Sequence, residues 1–269
     1  MSMDKIKTYV ITGASSGIGE ALAYVYGSRG QNVVLAARSR AEIERVAASC
    51  ERAGGKALAL PTDVVELEQC RALVDKAVER FGGVDVLVNN AGISMSARFD
   101  QVTDMTIFER IMRVNYLGSV YCTHATLPHL KRSRGLIVAI SSLTGKTGVP
   151  TRSGYAASKH AMQGFFDSLR IELARTGVDV LVASPGFVKT GIRDRVLGPD
   201  GKPRTAGRRD THDRDTMSLA ECTRILARAI DRRDREVVMT ASAKIGMWVK
   251  LVAPDLVDRI SMRAMRERT

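Results

Sequence analysis

The chain has 269 residues, 45% of them hydrophobic and 26% charged, which suits one sizeable buried core; no run of about 18 uninterrupted apolar residues marks a membrane span. Lysine and arginine number 41 against 29 acids, a net charge of +12 that favours anionic partners, but 5% aromatic content without a helix-turn-helix or finger pattern argues against nucleic acid. Cys50, Cys70, Cys122 and Cys222 form no C-x-x-C pair, which argues against a zinc site or a secreted disulfide framework, and the first residues pass into a strand rather than a signal-peptide core, so a cytoplasmic protein is expected.

From residue 7 onward, β-branched apolar runs alternate with amphipathic stretches. Strands are predicted at about 7–12, 32–37, 56–60, 84–89, 135–140, 178–183 and 236–240. Helices are predicted at about 16–29, 39–53, 66–80, 103–131, 152–176 and 218–232, with Ser39, Thr103 and Ser218 as N-caps. Helix following strand throughout predicts an α/β, doubly wound fold: a seven-stranded parallel sheet with helices on both faces, forming a single domain over 1–269. Residues 190–217 have many turn formers and charges and little apolar periodicity, which predicts a mobile substrate loop.

The first strand runs into Thr12-Gly13-Ala14-Ser15-Ser16-Gly17-Ile18-Gly19 and then a helix. Glycines here permit a tight turn, a close approach of backbone N–H groups to a pyrophosphate, and close helix–strand packing, with the helix N-terminus facing the negative charge. Tyr155 and Lys159 lie four apart on a predicted helix and share one face, where an ammonium would favour the phenolate and bring the tyrosine towards general acid/base range. No histidine among His124, His129, His160 and His212 has metal-ligand spacing, so no metal is expected.

The glycine spacing TGASSGIG, the stretch Asn89-Asn90-Ala91-Gly92, Ser142 with Tyr155-x-x-x-Lys159, and Pro185-Gly186 together resemble the short-chain dehydrogenase/reductase family over nearly the whole chain. The resemblance implies a Rossmann fold and hydride transfer between a nicotinamide and a carbonyl or secondary alcohol. It implies catalytic roles for Asn115, Ser142, Tyr155 and Lys159, with Ser142 holding the substrate oxygen, Ser141 as its neighbouring alternative, and Asn115 helping to hold a relay water near the lysine. For the cofactor it implies Gly13, Ser15, Ser16, Gly17, Ile18 and Gly19; Asp63 and Val64 at the adenine; the stretch Asn89 to Gly92 stabilising the central sheet next to the ribose, with Asn89, Ala91 and Gly92 at the cofactor; and Tyr155, Lys159, Pro185, Gly186, Val188 and Thr190. At the end of the second strand, Ala37-Arg38 stands where an acid would hold ribose hydroxyls, so a guanidinium can pair with a 2′-phosphate and NADP(H) is expected; a solvated first-turn arginine is the alternative.

Residues 108–121 and 137–173 are similar to the branch of the family that reduces lipid-like ketones, such as acyl- or alkyl-dihydroxyacetone phosphate and 3-ketodihydrosphingosine. A cofactor-binding sensor without turnover is the other reading of the same motifs. In family members the helices corresponding to 103–131 and 152–176 pair between subunits, so a homodimer or homotetramer is expected, with Phe165, Phe166 and Leu169 beyond the core stripe. In the segment 241–269, Met247, Trp248, Leu251, Val252, Leu256, Val257 and Ile260 recur among Lys244, Lys250, Arg259, Arg263, Arg266 and Arg268. A helical arrangement broken near Pro254 would close the pocket, pack on a second subunit, or make a reversible contact with an anionic membrane surface.

Overall fold

Strand β1 (Thr8–Thr12) turns Tyr9 and Ile11 into one apolar layer and Val10 into the other, because successive side chains of a strand point to opposite faces. The same division recurs in β2 (Asn32–Ala37), where Val33 and Leu35 face one layer and Val34 and Ala36 the other. Strands buried on both sides read as continuous apolar runs, which is why these segments are legible in the sequence. The computed structural model describes residues 6–189, 196–204 and 216–266. It adds β3 (Lys56–Pro61), β4 (Val86–Asn89), β5 (Leu136–Ile140), β6 (Asp179–Ser184) and β7 (Glu236–Val238) in one parallel sheet of order β3-β2-β1-β4-β5-β6-β7.

Helices α1 (Gly17–Ser28), α2 (Arg40–Arg52) and α7 (Leu219–Arg232) cover one face, burying Leu22, Tyr26, Ile43, Leu226 and Ile230. The opposite face is covered by α3 (Leu67–Phe81), α5 (Gly118–Ser133) and α6 (Ser153–Glu172), through Leu73, Leu130, Met162 and Phe166. Each such aliphatic or aromatic side chain contributes roughly 1.5–3 kcal/mol on burial, so both layers are needed to hold the sheet. The strand order reverses between β1 and β4, and a crevice at the carboxyl ends of the strands follows from that reversal. The seven-stranded, doubly wound expectation therefore holds.

Several local expectations need correction. The single helix expected over 103–131 is a short α4 (Thr106–Met112), a π-helical turn (Arg113–Leu117) and α5. Thr103 is not its cap: it binds the Pro199 carbonyl through both N and Oγ1, and Asp104 Oδ1 instead accepts from the Thr106 N–H at 3.0 Å. Ser39 flanks α2 without a side-chain cap bond, whereas Ser218 accepts from the Glu221 N–H at 3.1 Å as an N-cap should.

Phe166 and Leu169 lie in the core rather than on a free helix face, and Phe165 is half-buried with its ring edge-on to Tyr116. Part of the expected mobile loop is packed: Leu197 is buried, donates its N–H to Ser94 O and accepts from Ser96 N, both at 2.9 Å. Residues 190–195 and 205–215, and with them Thr190, lie outside the described residues. The expected break near Pro254 separates α8 (Ala241–Val252) from α9 (Pro254–Arg266).

Candidate active site

Gly13 and Gly17 take positive φ of 63° and 61°, a region glycine enters without steric cost. Around them the turn is clamped from β4. Asn90 Nδ2 donates to the carbonyls of Thr12 at 2.9 Å and Gly13 at 3.2 Å, and Thr12 Oγ1 accepts from the N–H groups of Asn90 and Ala91, both at 3.0 Å. A Cβ on Gly19 would lie 2.6 Å from both Asn90 Nδ2 and Gly13 O, so this glycine is what lets α1 approach the clamp. Ser15 is buried, Ser16 and Ile18 are half-buried, and Ser16 begins α1 without a side-chain cap, leaving first-turn N–H groups for an anion. Asn90 thus ties β4 to β1, in keeping with the expected role of its stretch in stabilising the central sheet, and Thr12 is its partner at the end of β1. Their signal was a hydroxyl and an amide at the ends of adjacent central strands. Gly19→Ala should weaken nicotinamide cofactor binding by about 10- to 100-fold, since the new methyl must displace the clamp; an unchanged Kd by fluorescence titration would show that the clamp does not set the turn.

Asn89 is buried with its side chain turned to α5, where Nδ2 donates to Thr123 Oγ1 at 2.9 Å. Val64 is buried against Gly118, where a Cβ would meet Val64 Cγ2 at 2.7 Å, and Asp63 Oδ1 accepts from the Val65 N–H at 3.2 Å. Arg38 is exposed just past β2. Pro185 is buried, Gly186 lies against Leu143, and Val188 bridges to Met217.

Asn115 sits in the π-helical turn, whose extra residue per turn re-aims the side chain. It is fully buried and three bonds hold it: Oδ1 accepts from Ile93 N at 2.8 Å, while Nδ2 donates to Ile93 O at 3.0 Å and Ser158 Oγ at 2.9 Å. Leaving a buried amide without these partners would cost several kcal/mol on the order of a lost polar group each. Through Ile93 and Ser158, Asn115 ties the segment after β4 to α6, one residue from Lys159. Ser158 was not singled out from sequence because a lone helical serine carries no signal.

Lys159 is 4% exposed, and its ammonium donates to Ile140 O at 2.8 Å, at the carboxyl end of β5. It stands 5.8 Å from the centre of the Tyr155 ring. Burial lowers the Lys159 pKa to about 7. Burial also raises that of Tyr155 above the ordinary phenol value, opposed by Ser142, which stabilises the phenolate by hydrogen bonding, and by the nearby positive charge of Arg152. Both groups are out of water, so burial sets these directions in the chain by itself, whereas the sequence expectation of an eased Tyr155 ionisation counts on a bound nicotinamide cation beside the ammonium.

Ser142 begins the short turn Leu143–Gly145 and accepts from Thr144 N at 3.2 Å. Ser141 instead is 3% exposed and donates to the Lys159 carbonyl at 3.4 Å, so of the two serines Ser142 is the one beside Tyr155. Arg152, which the sequence reading did not select, stacks over Phe187 at 5.3 Å and follows Thr151, a β-branched residue at φ 67°. The Thr151 carbonyl accepts from Ala97 N at 2.9 Å, which helps hold that strained corner at the start of α6.

Known proteins similar to this chain point to one family. A family model described as short chain dehydrogenase matches residues 7–198. A dehydrogenase/reductase SDR family protein 7-like from Anopheles gambiae is 39% identical over 258 residues, covering 93% of this chain and 80% of that protein. An 11-beta-hydroxysteroid dehydrogenase-like 4A from Arabidopsis thaliana is 37% identical over 252 residues, covering 93% and 82%. Among solved structures, an alcohol dehydrogenase from the archaeon Thermococcus sibiricus, complexed with 5-hydroxy-NADP, superposes with a TM-score of 0.74 at 28% identity, covering 87% of this chain and 95% of that one. With the glycine turn, the Asn115 linkage and the Ser142, Tyr155 and Lys159 cluster in place on this sheet, the chain belongs to the short-chain dehydrogenase family of oxidoreductases.

Proposed function

We propose that the chain is an NADP(H)-dependent enzyme that interconverts a hydrophobic ketone and its secondary alcohol. The observation that carries the reading is the meeting of Tyr155, Lys159 and Ser142 at the carboxyl end of β5, across the crevice from the glycine turn. A bound nicotinamide supplies the hydride to the carbonyl carbon, or takes it from the alcohol. Tyr155, protonated at neutral pH like any phenol of ordinary or raised pKa, gives its proton to the substrate oxygen during reduction. The Ser142 hydroxyl donates to that oxygen as charge develops; one such donor contributes about 10²–10³ in rate. The Lys159 ammonium then steadies the phenolate, and Asn115 keeps Ile93 and Ser158 in place beside it for the return of a proton by way of water.

Arg38, free of any neighbouring acid in the sequence Ala37-Arg38-Ser39, is the group assigned to the 2′-phosphate, and the NADP analogue in the Thermococcus neighbour supports that choice. The substrate side is apolar: Tyr155 packs against a cluster of Met95, Ala97, Ile107, Ile111 and Leu197 with Phe108 beside it. Together with the steroid named for the Arabidopsis relative, this favours steroid or other lipid-like ketones over small sugars. A homodimer or homotetramer through α5 and α6 completes the reading, with Ile171 exposed on the outer side of α6.

The test is oxidation of NADPH and NADH across steroid ketones, long-chain ketones and ketone phosphates. Turnover is expected with NADPH and the apolar ketones. Arg38→Asp should lower the NADPH-to-NADH ratio of kcat/KM by about 100-fold, through loss of a charge-assisted contact and gain of a repulsive one. An unchanged ratio would remove Arg38 from the selector role, and cofactor binding without turnover on any ketone would favour the sensor reading.

A further inference from the structure

Helices α8 and α9 leave the body of the protein from the carboxyl end of β7, the same end of the sheet that carries Tyr155 and the glycine turn. Lys250 Nζ donates to Lys146 O at 2.8 Å and so fastens α8 to the segment that follows Ser142. The inner side of α8, with Met247, Val249 and Lys250, is half-buried. Its outer side is not. Ile245, Trp248, Leu251 and Val252 recur at three- and four-residue spacing, hence on one face, and are 64%, 72%, 75% and 83% exposed. Leu256 and Ile260 continue the surface one turn apart on α9.

Seven of the eleven large hydrophobic residues exposed among the described residues fall between Ile245 and Met262, so this is a concentrated patch rather than the ordinary scatter of a protein surface. Lys244 and Arg259 are exposed within it, and over 241–266 the sequence carries five cations against two acids.

We infer that the α8–α9 face docks on an anionic membrane surface, with Trp248, Leu251 and Val252 entering the boundary between headgroups and acyl chains and Lys244 and Arg259 meeting lipid phosphates or carboxylates. Charge decides between this partner and a second copy of the chain. Two such faces, each cationic and each on a protein of net charge +12, repel one another, whereas an anionic bilayer attracts both the patch and the molecule behind it. No helix among the described residues is long and apolar enough to cross a membrane, so the contact is peripheral, reversible and weakened by salt. The docked face lies beside the crevice, which sets the site next to the phase in which an apolar ketone dissolves; this last point rests on the proposed function, while the docking itself does not.

Trp248 is the single tryptophan of the chain, so its emission reports on this helix alone. The full chain, without cofactor, is titrated with vesicles of phosphatidylcholine containing about 30 mol % phosphatidylserine. The expected result is a blue shift of Trp248 emission with co-sedimentation, both reduced at high salt and both weaker on phosphatidylcholine alone. The double substitution Leu251→Ser and Val252→Ser keeps the reporter and removes two exposed aliphatics, and should lower partitioning about 10-fold or more. Circular dichroism of the variant distinguishes lost docking from lost fold, because neither residue is buried. Tyr155→Phe should partition as the wild type does, whatever its turnover. An unshifted emission at low salt overturns the proposal, as does equal partitioning of the double variant. A blue shift that appears without lipid, grows with protein concentration and accompanies a dimer mass assigns the face to a second copy instead.

Discussion

Tyr155→Phe is expected to lower kcat for ketone reduction by about 10³-fold while leaving cofactor binding and the melting temperature close to wild type. The substitution removes one hydroxyl. The ring keeps its place against the Met95 and Leu197 cluster, so packing changes little. What disappears is the proton source: the phenol is protonated at neutral pH, as an ordinary tyrosine is, burial raises its pKa further, and Ser142 stabilises the phenolate that donation would leave. Phenylalanine can do neither, and the substrate oxygen must draw its proton from water. Residual activity is expected because Ser142 remains to polarise the carbonyl, as site geometry alone retains part of a rate enhancement. Steady-state NADPH oxidation with a good ketone, alongside a cofactor titration, measures both halves. A variant that keeps more than about a tenth of wild-type kcat would take the proton-transfer role away from Tyr155.

Lys159→Met should reduce kcat by about 10²-fold or more and yet make the cofactor-free protein more resistant to heat below neutral pH. The second effect follows from the direction of a pKa shift. Lys159 is buried and its pKa falls to about 7, whereas in the unfolded chain it keeps the ordinary lysine value of about 10.4. Between those values the unfolded chain binds more protons than the folded one, so the stability of the wild type rises with pH over that window. Below about pH 7 both states are protonated and the full cost of burying the ammonium is borne. Methionine has similar length and no charge, so it escapes that cost, although it gives up the bond to Ile140 O.

The gain of the variant over wild type should therefore be largest near pH 6 and shrink on the order of 2 kcal/mol by pH 9. Melting curves of both proteins at a series of pH values give the difference directly. A gap that is constant with pH, or that widens as pH rises, would mean that burial does not lower the Lys159 pKa in the free enzyme. Bound cofactor is left out of this measurement because its own binding would shift the melting temperature by mass action.

Local patterns in the chain are enough to read the strands, the alternation of strand and helix, and the residue types expected at the site. Continuous apolar strands such as Thr8–Thr12 and Leu136–Ile140 are a local consequence of burial on both faces, and a glycine turn or a Tyr155–Lys159 pair is written in short spacings. Tertiary structure decided the rest, since it depends on residues distant in the chain. The clamp of Asn90 on Thr12 and Gly13 spans 78 and 77 positions, and the Asn115–Ser158 bond spans 43. No periodicity records either.

The same holds for the π-helical turn that re-aims Asn115 and for Leu197, whose stretch looks like loose loop until Ser94 and Ser96 give its backbone partners. Protonation states were also out of reach of the sequence. Spacing suggested an ammonium that would ease the ionisation of Tyr155, whereas the fold buries both groups, pushing Tyr155 up and Lys159 down to about 7, because the free energy of a charge is set by the water around it and not by its place in the chain.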